Sequence, residues 1–105
     1  MGLTRDFKET VQARALKDPA FRLALLEESI NEFLAGDLDT AKYLLRDYIN
    51  SSISFEKLAK KTKISDKSLQ RMFSDRGNPT TSNFFAVLQA IQQIERVNIG
   101  AKVRH

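Results

Sequence analysis

The chain of 105 residues predicts a mainly α fold. Two observations carry that expectation: apolar residues recur at helical spacing through successive stretches, and each stretch opens on Ser, Thr or Asp and closes at a glycine or a polar turn. A third sets the end of the chain apart, because from residue 96 the helical period gives way to alternation. The expected organisation is an N-terminal helical extension over residues 1–36, a helical domain over 37–95, and a C-terminal strand or tail over 96–105.

The elements follow in chain order. Phe7, Val11 and Ala15 keep helical step over a short first segment. Asp18 followed by Pro19 is a cap with proline at the first helical position, and Leu23, Leu26, Ile30, Phe33 and Leu34 then form an inward stripe until Gly36 stops it. Asp37 and Asp39 can cap the next helix, whose buried stripe is Ala41, Leu44, Leu45 and Tyr48 and which ends over Asn50, Ser51 and Ser52. Ser54 can cap a short helix with Phe55, Leu58 and Ala59 inward, and Ser65 a second with Leu69, Met72 and Phe73 inward. After the turn Arg76-Gly77-Asn78-Pro79-Thr80, a last helix buries Phe84, Val87, Leu88, Ile91 and Ile94.

Charge divides the chain unevenly. Residues 1–37 hold five Lys/Arg against seven Asp/Glu, whereas residues 38–105 hold twelve against six. Seven of those basic residues fall between Lys57 and Arg76, where only Asp66 and Asp75 oppose them. A basic half suggests a polyanionic partner, with a solvated lysine-rich surface as the plainer alternative. No cysteine is present, no apolar run approaches the roughly 20 residues needed to span a bilayer, and the first ten residues are too polar for a signal peptide. A soluble protein of a reducing cytoplasm, with no membrane partner, is the expectation.

The two short helices between residues 55 and 73 are joined by only about three residues, as a helix-turn-helix requires. Small Ala59 sits where the backbones approach, and Ile64 would plug the gap beneath the turn. The second helix projects a polar face of Asp66, Lys67, Ser68, Gln70 and Arg71, of a size that fits a major groove. Lys63 stands where glycine often supplies a left-handed backbone, which weakens the pattern. An ordinary helix pair has the same apolar spacing. The turn at Arg76 to Ser82 raises the case for DNA, since a helix start ringed by Asn78, Thr80, Thr81 and Ser82 is a ready anion site.

Leu45-Arg46-Asp47-Tyr48-Ile49-Asn50, Phe55-Glu56-Lys57-Leu58-Ala59, Lys67-Ser68-Leu69-Gln70-Arg71-Met72 and Gly77-Asn78-Pro79-Thr80 followed by Phe84-Phe85-Ala86-Val87-Leu88 resemble the addiction-module antidote family, HigA-like bacterial antitoxins with a lambda-repressor-like helix-turn-helix. The likeness covers roughly residues 18–95. It implies a regulator that binds its own double-stranded operator DNA and pairs with a RelE/HigB-type toxin. It also implies that Asp66, Lys67 and Arg71 fall at base-reading positions, with Ser54, the backbone N–H of Phe55 and the Asn78–Thr81 loop near phosphates.

On this reading Lys67 and Arg71 hydrogen-bond guanine edges or neighbouring phosphates, Gln70 reaches adenine or backbone, and Asp66 accepts from cytosine. Lys57, Lys60, Lys61, Lys63 and Arg76 supply general phosphate attraction, and Ser54, Ser68, Asn78, Thr80 and Thr81 complete the phosphate-facing set. Catalysis finds no support. His105 is the single histidine and ends the chain, Glu27 and Glu28 diverge around a helix, and there is no nucleophile-base pair, metal-ligand cluster or cofactor motif.

Val97, Ile99, Ala101 and Val103 alternate with Arg96, Asn98, Lys102 and Arg104, the pattern of a half-buried strand. No other segment reads as a strand, so pairing requires a second chain. A homodimer joined by this segment would set two recognition helices about one DNA turn, roughly 34 Å, apart. The alternatives for the segment are a loose tail or a strand added to a toxin edge. Two other functions remain open, a stand-alone repressor without a toxin and an adaptor that binds only protein. The surface of residues 3–36 is expected to offer part of a partner site, or simply to extend the core.

Overall fold

The computed structural model describes residues 13–105 and is mainly helical. Residues 13–17 are helical, and five helices follow: α1 (Pro19–Ala35), α2 (Leu38–Ser51), α3 (Phe55–Thr62), α4 (Asp66–Met72) and α5 (Thr81–Glu95). Of the first expected stripe, Ala15 is buried, while Phe7 and Val11 lie outside the described residues. Among the described residues no helix is long and apolar enough to cross a membrane.

Side-chain caps start each helix where the sequence places them. Asp18, Asp37, Ser54, Ser65 and Thr80 accept hydrogen bonds from the N–H groups of Phe21, Thr40, Lys57, Ser68 and Asn83 at 3.1–3.2 Å. Each bond satisfies one of the backbone donors that a helix start leaves without a partner. Gly36, at φ 86°, ends α1 in the left-handed conformation, and its N–H donates to Phe33.

One apolar cluster runs through all five helices. Leu26 of α1, Leu45, Tyr48 and Ile49 of α2, Phe55 and Leu58 of α3, Leu69 of α4 and Val87, Ala90 and Ile91 of α5 belong to it, together with Phe73. Phe33 and Phe84 bring α1 onto α5 with ring centroids 4.7 Å apart. Leu34, expected inward, is 77% exposed. It falls in the last turn of α1 and borders a surface groove, out of reach of the core cluster.

A buried polar joint ties the ends of the bundle together. Arg22 of α1 donates through Nε and Nη2 to the Glu95 carboxylate at 3.0–3.2 Å, and Tyr48 of α2 donates to Glu95 Oε2 at 2.6 Å. The Glu95 side chain is only 7% exposed. Burial opposes its charge, but the bonds from Arg22 and Tyr48 outweigh that penalty and leave the carboxyl below its ordinary value. For Tyr48, burial and the same carboxylate act together and push the phenol well above its ordinary value.

No strand occurs among the described residues. Arg96 closes α5 in the left-handed conformation at φ 58°, and residues 97–105 follow without regular secondary structure. The alternating stripe divides in two. Val97 and Ile99 are half-buried, and the Ile99 N–H donates to Gln92 Oε1 at 2.9 Å, whereas Ala101 and Val103 are exposed, the latter at 96%. Among the described residues the segment has no neighbouring strand to pair with, which is the condition under which a ladder cannot form.

Candidate nucleic-acid interface

Helices α3 and α4 are joined by Lys63, Ile64 and Ser65 alone. The junction is possible because Lys63 adopts the left-handed backbone at φ 62°, ψ 20°, the conformation for which glycine would be expected. Its N–H donates to Ala59 at 2.8 Å, and Thr62 Oγ1 bridges by donating to Leu58 and accepting from Ile64. Ile64 is half-buried against the core, as the plug beneath the turn. Ser54, the cap of α3, also has positive φ at 71°, in a backbone region that side chains rarely enter.

α4 buries Leu69, leans Met72 on the core and turns its other residues outward. Lys67, Gln70 and Arg71 are exposed, and Asp66 and Ser68 half-exposed. Gln70 donates through Nε2 to Asp66 Oδ1, so these two side chains are organised by each other one turn apart. Ser68 is likewise engaged, accepting at Oγ from the hydroxyl of Ser65 at 2.9 Å. The side chains of Lys67 and Arg71 have no carboxylate or hydrogen-bond partner among the described residues. They are the free cations of the face.

The surrounding basic residues are arranged as a rim. Lys57, Lys60, Lys61 and Lys63 are exposed on α3 and the turn, and Arg76 is exposed beyond α4. Lys60 pairs with Glu56 at 3.6 Å, an i,i+4 surface pair that offsets its charge only weakly. Lys57, Lys61, Lys63 and Arg76 have no such partner among the described residues.

Beyond α4 the chain folds back on itself. Gly77 lies against the carbonyl of Arg71, and a Cβ added there would stand 1.7 Å from that oxygen, a distance no side chain can occupy. Ser68, Arg71, Met72, Gly77 and Asn78 thereby line a shallow cleft of about 250 Å³ between α4 and the following loop. Asn78, Thr80 and Thr81 are exposed. Thr80 caps α5 through Asn83, which leaves the N–H groups of Thr81 and Ser82 at the helix start without an intrahelical partner.

The loop is held from behind by two α2 cations that the sequence reading did not single out. Lys42, 3% exposed, donates from Nζ to the carbonyls of Gly77 at 2.8 Å and Asp75 at 3.3 Å. Arg46 donates from Nη1 to the carbonyl of Phe73 at 2.7 Å and approaches Asp75 Oδ1 to 3.7 Å through Nη2. A signal was present in the sequence: Lys42 stands three residues before Leu45 and seven before Ile49, on the inward stripe of its helix.

Thus the residues expected at bases, Asp66, Lys67, Gln70 and Arg71, share one short helix face, and those expected at phosphates lie around it on α3, the turn and the start of α5. Val97, Ile99 and Ala101 line a groove of about 500 Å³ between the C-terminal segment and Leu23, Ile30 and Leu34 of α1, whereas Val103 is not part of its lining. Comparison with protein-family models, curated proteins and solved structures returned no match.

Proposed function

We propose that this chain is a transcriptional regulator that binds double-stranded operator DNA through α3 and α4 acting as a helix-turn-helix. The observation that supports it best is the outward row of Lys67, Gln70 and Arg71 on a two-turn helix whose charges no described carboxylate neutralises. At about 1.5 Å per residue α4 is roughly 10 Å long, which suits a major groove about 12 Å wide. Lys67 and Arg71 read guanine edges, the Asp66–Gln70 pair offers one acceptor and one amide to cytosine or adenine, and Lys57, Lys61, Lys63 and Arg76 neutralise flanking phosphates. The free N–H groups at the start of α5, with Asn78, Thr80 and Thr81, accept a phosphate beside the reading helix.

Operators read by such helices are two-fold sites, and the C-terminal segment supplies the means of pairing two chains. Beyond Ile99 no backbone hydrogen bond holds it among the described residues, and exposed Ala101 and Val103 continue the stripe that Val97 and Ile99 begin. Antiparallel pairing of two such segments forms the homodimer. In line with the resemblance to addiction-module antidotes, the regulator acts as the antitoxin of a RelE/HigB-type toxin in the bacterial cytoplasm. The α1 groove favours a protein partner of some kind, so a toxin-free repressor and a protein-only adaptor are the competing readings.

The test is selection of bound duplexes from a random library by the full chain, followed by anisotropy titration across salt. Binding that falls steeply between about 50 and 200 mM salt is expected, since each phosphate contact releases condensed counterions. Failure to enrich any sequence, with no salt-dependent binding, would leave the adaptor.

A further inference from the structure

We propose that Lys42, assisted by Arg46, is a positioning residue for DNA: from behind the interface it sets the loop that seats one backbone phosphate beside α4. This rests on the DNA-binding reading above. A lysine ammonium is seldom buried, because removing its charge from water is costly unless strong acceptors replace the solvent. At Lys42 the acceptors are two main-chain carbonyls, Gly77 and Asp75, and the nearest carboxylate, Asp39, is 3.9 Å away and solvent-facing. The ammonium therefore serves the backbone of residues 75–77, and Arg46 adds the carbonyl of Phe73. Three carbonyls just beyond the end of α4 are drawn towards α2 by two cations that a core alone does not require.

The consequence falls on the opposite face of the same loop. With its carbonyl held by Lys42, Gly77 is pressed onto the Arg71 carbonyl, and that contact sets the width of the cleft lined by Ser68, Arg71, Gly77 and Asn78. The cleft brings together the Ser68 hydroxyl, the Asn78 amide and main chain, groups that recognise a phosphodiester oxygen. A single cationic donor from α2 thus fixes the distance between a base-reading helix and a phosphate-holding loop. Lys42 itself touches no DNA.

The test uses the full chain with Lys42→Met, which keeps an unbranched side chain one atom shorter and removes its donor, and Arg46→Gln as a second variant should the first fail to fold. Two quantities are measured: amide hydrogen exchange over residues 73–80 without DNA, and the salt dependence of binding to a random 20-base-pair duplex. Both variants are expected to exchange faster over 73–80, to bind at least tenfold more weakly, and to lose about one from the slope of log affinity against log salt, the signature of one phosphate contact. Exchange and slope identical to those of the unmodified chain, with only a lower melting temperature, would overturn the positioning role and leave Lys42 as a core residue. No salt-dependent binding by the unmodified chain would instead remove the DNA reading, and the phosphate seat with it.

Discussion

Gly77 meets the carbonyl of Arg71 so closely that even a methyl group has no room between them. The requirement for glycine here comes from contact, because no positive φ is recorded at this residue. Gly77→Ala must therefore displace the loop or the end of α4. Forced overpacking of this kind commonly costs about 1–3 kcal/mol. Chemical denaturation should show that loss, and DNA affinity should fall with it because the cleft loses its shape.

If α4 reads bases, reading and general attraction should separate experimentally. Lys67→Ala or Arg71→Ala is expected to cost about 1–3 kcal/mol on the selected duplex and much less on random DNA. Lys61→Ala, which removes a rim charge, should weaken both alike. Parallel titrations on the two duplexes give the comparison, and equal losses for all three variants would move the reading face off α4.

Left-handed Lys63 predicts a trade between stability and binding. A side chain in this conformation is disfavoured by roughly 1–2 kcal/mol relative to the right-handed helix, a penalty glycine does not carry. Lys63→Gly should raise the denaturation midpoint while it lowers affinity for random DNA through the missing charge. A variant that lost stability would show that the lysine stem packs more than its exposure suggests.

Glu95 gives a pH dependence of defined sign. Its carboxyl lies below the ordinary value in the folded chain, so its contribution is complete above the unfolded value, about 4.3, and fades as acid carries the pH down through the folded one. Tyr48 is shifted upward, so its share is complete below about 10 and is lost in alkali. Melting curves of Glu95→Gln against the unmodified chain should differ at pH 7 and converge as pH falls below about 4. Tyr48→Phe should cost about 1.5–3 kcal/mol at neutral pH, the usual value of a hydrogen bond to a charged group.

Removal of residues 101–105 leaves the bond from Ile99 to Gln92 and takes away the exposed end of the stripe. Sedimentation of the shortened chain at micromolar concentration should show monomers, with binding to an isolated half-site retained. A shortened chain that still sediments as a dimer would place the interface elsewhere, with the α1 groove the first alternative.

The helix starts were legible because a cap is a local event: one Ser, Thr or Asp answers an N–H three residues on, and sequence spacing contains that whole interaction. Lys63 shows the limit of residue preference, since the short junction between α3 and α4 imposes its left-handed backbone in spite of the side chain. The place of Lys42 on the inward stripe of α2 is legible in the sequence, but what its charge meets there is not, because Asp75 and Gly77 lie more than thirty positions later. The Arg22–Tyr48–Glu95 joint is illegible for the same reason. Leu34 was misplaced because helical spacing describes a stripe without saying where the neighbouring helix ends.

Arg22 and Glu95 stand 73 positions apart, and their bond joins the first of the five helices to the last. Contact over so long a loop is entropically remote from the extended chain, whereas the turns between neighbouring helices close within a few residues. The joint is therefore expected to form in the final stage of folding, after α3 and α4 have met. Its loss should leave the refolding rate nearly unchanged and accelerate unfolding, which would make this pair of side chains the latch on the lifetime of the folded state.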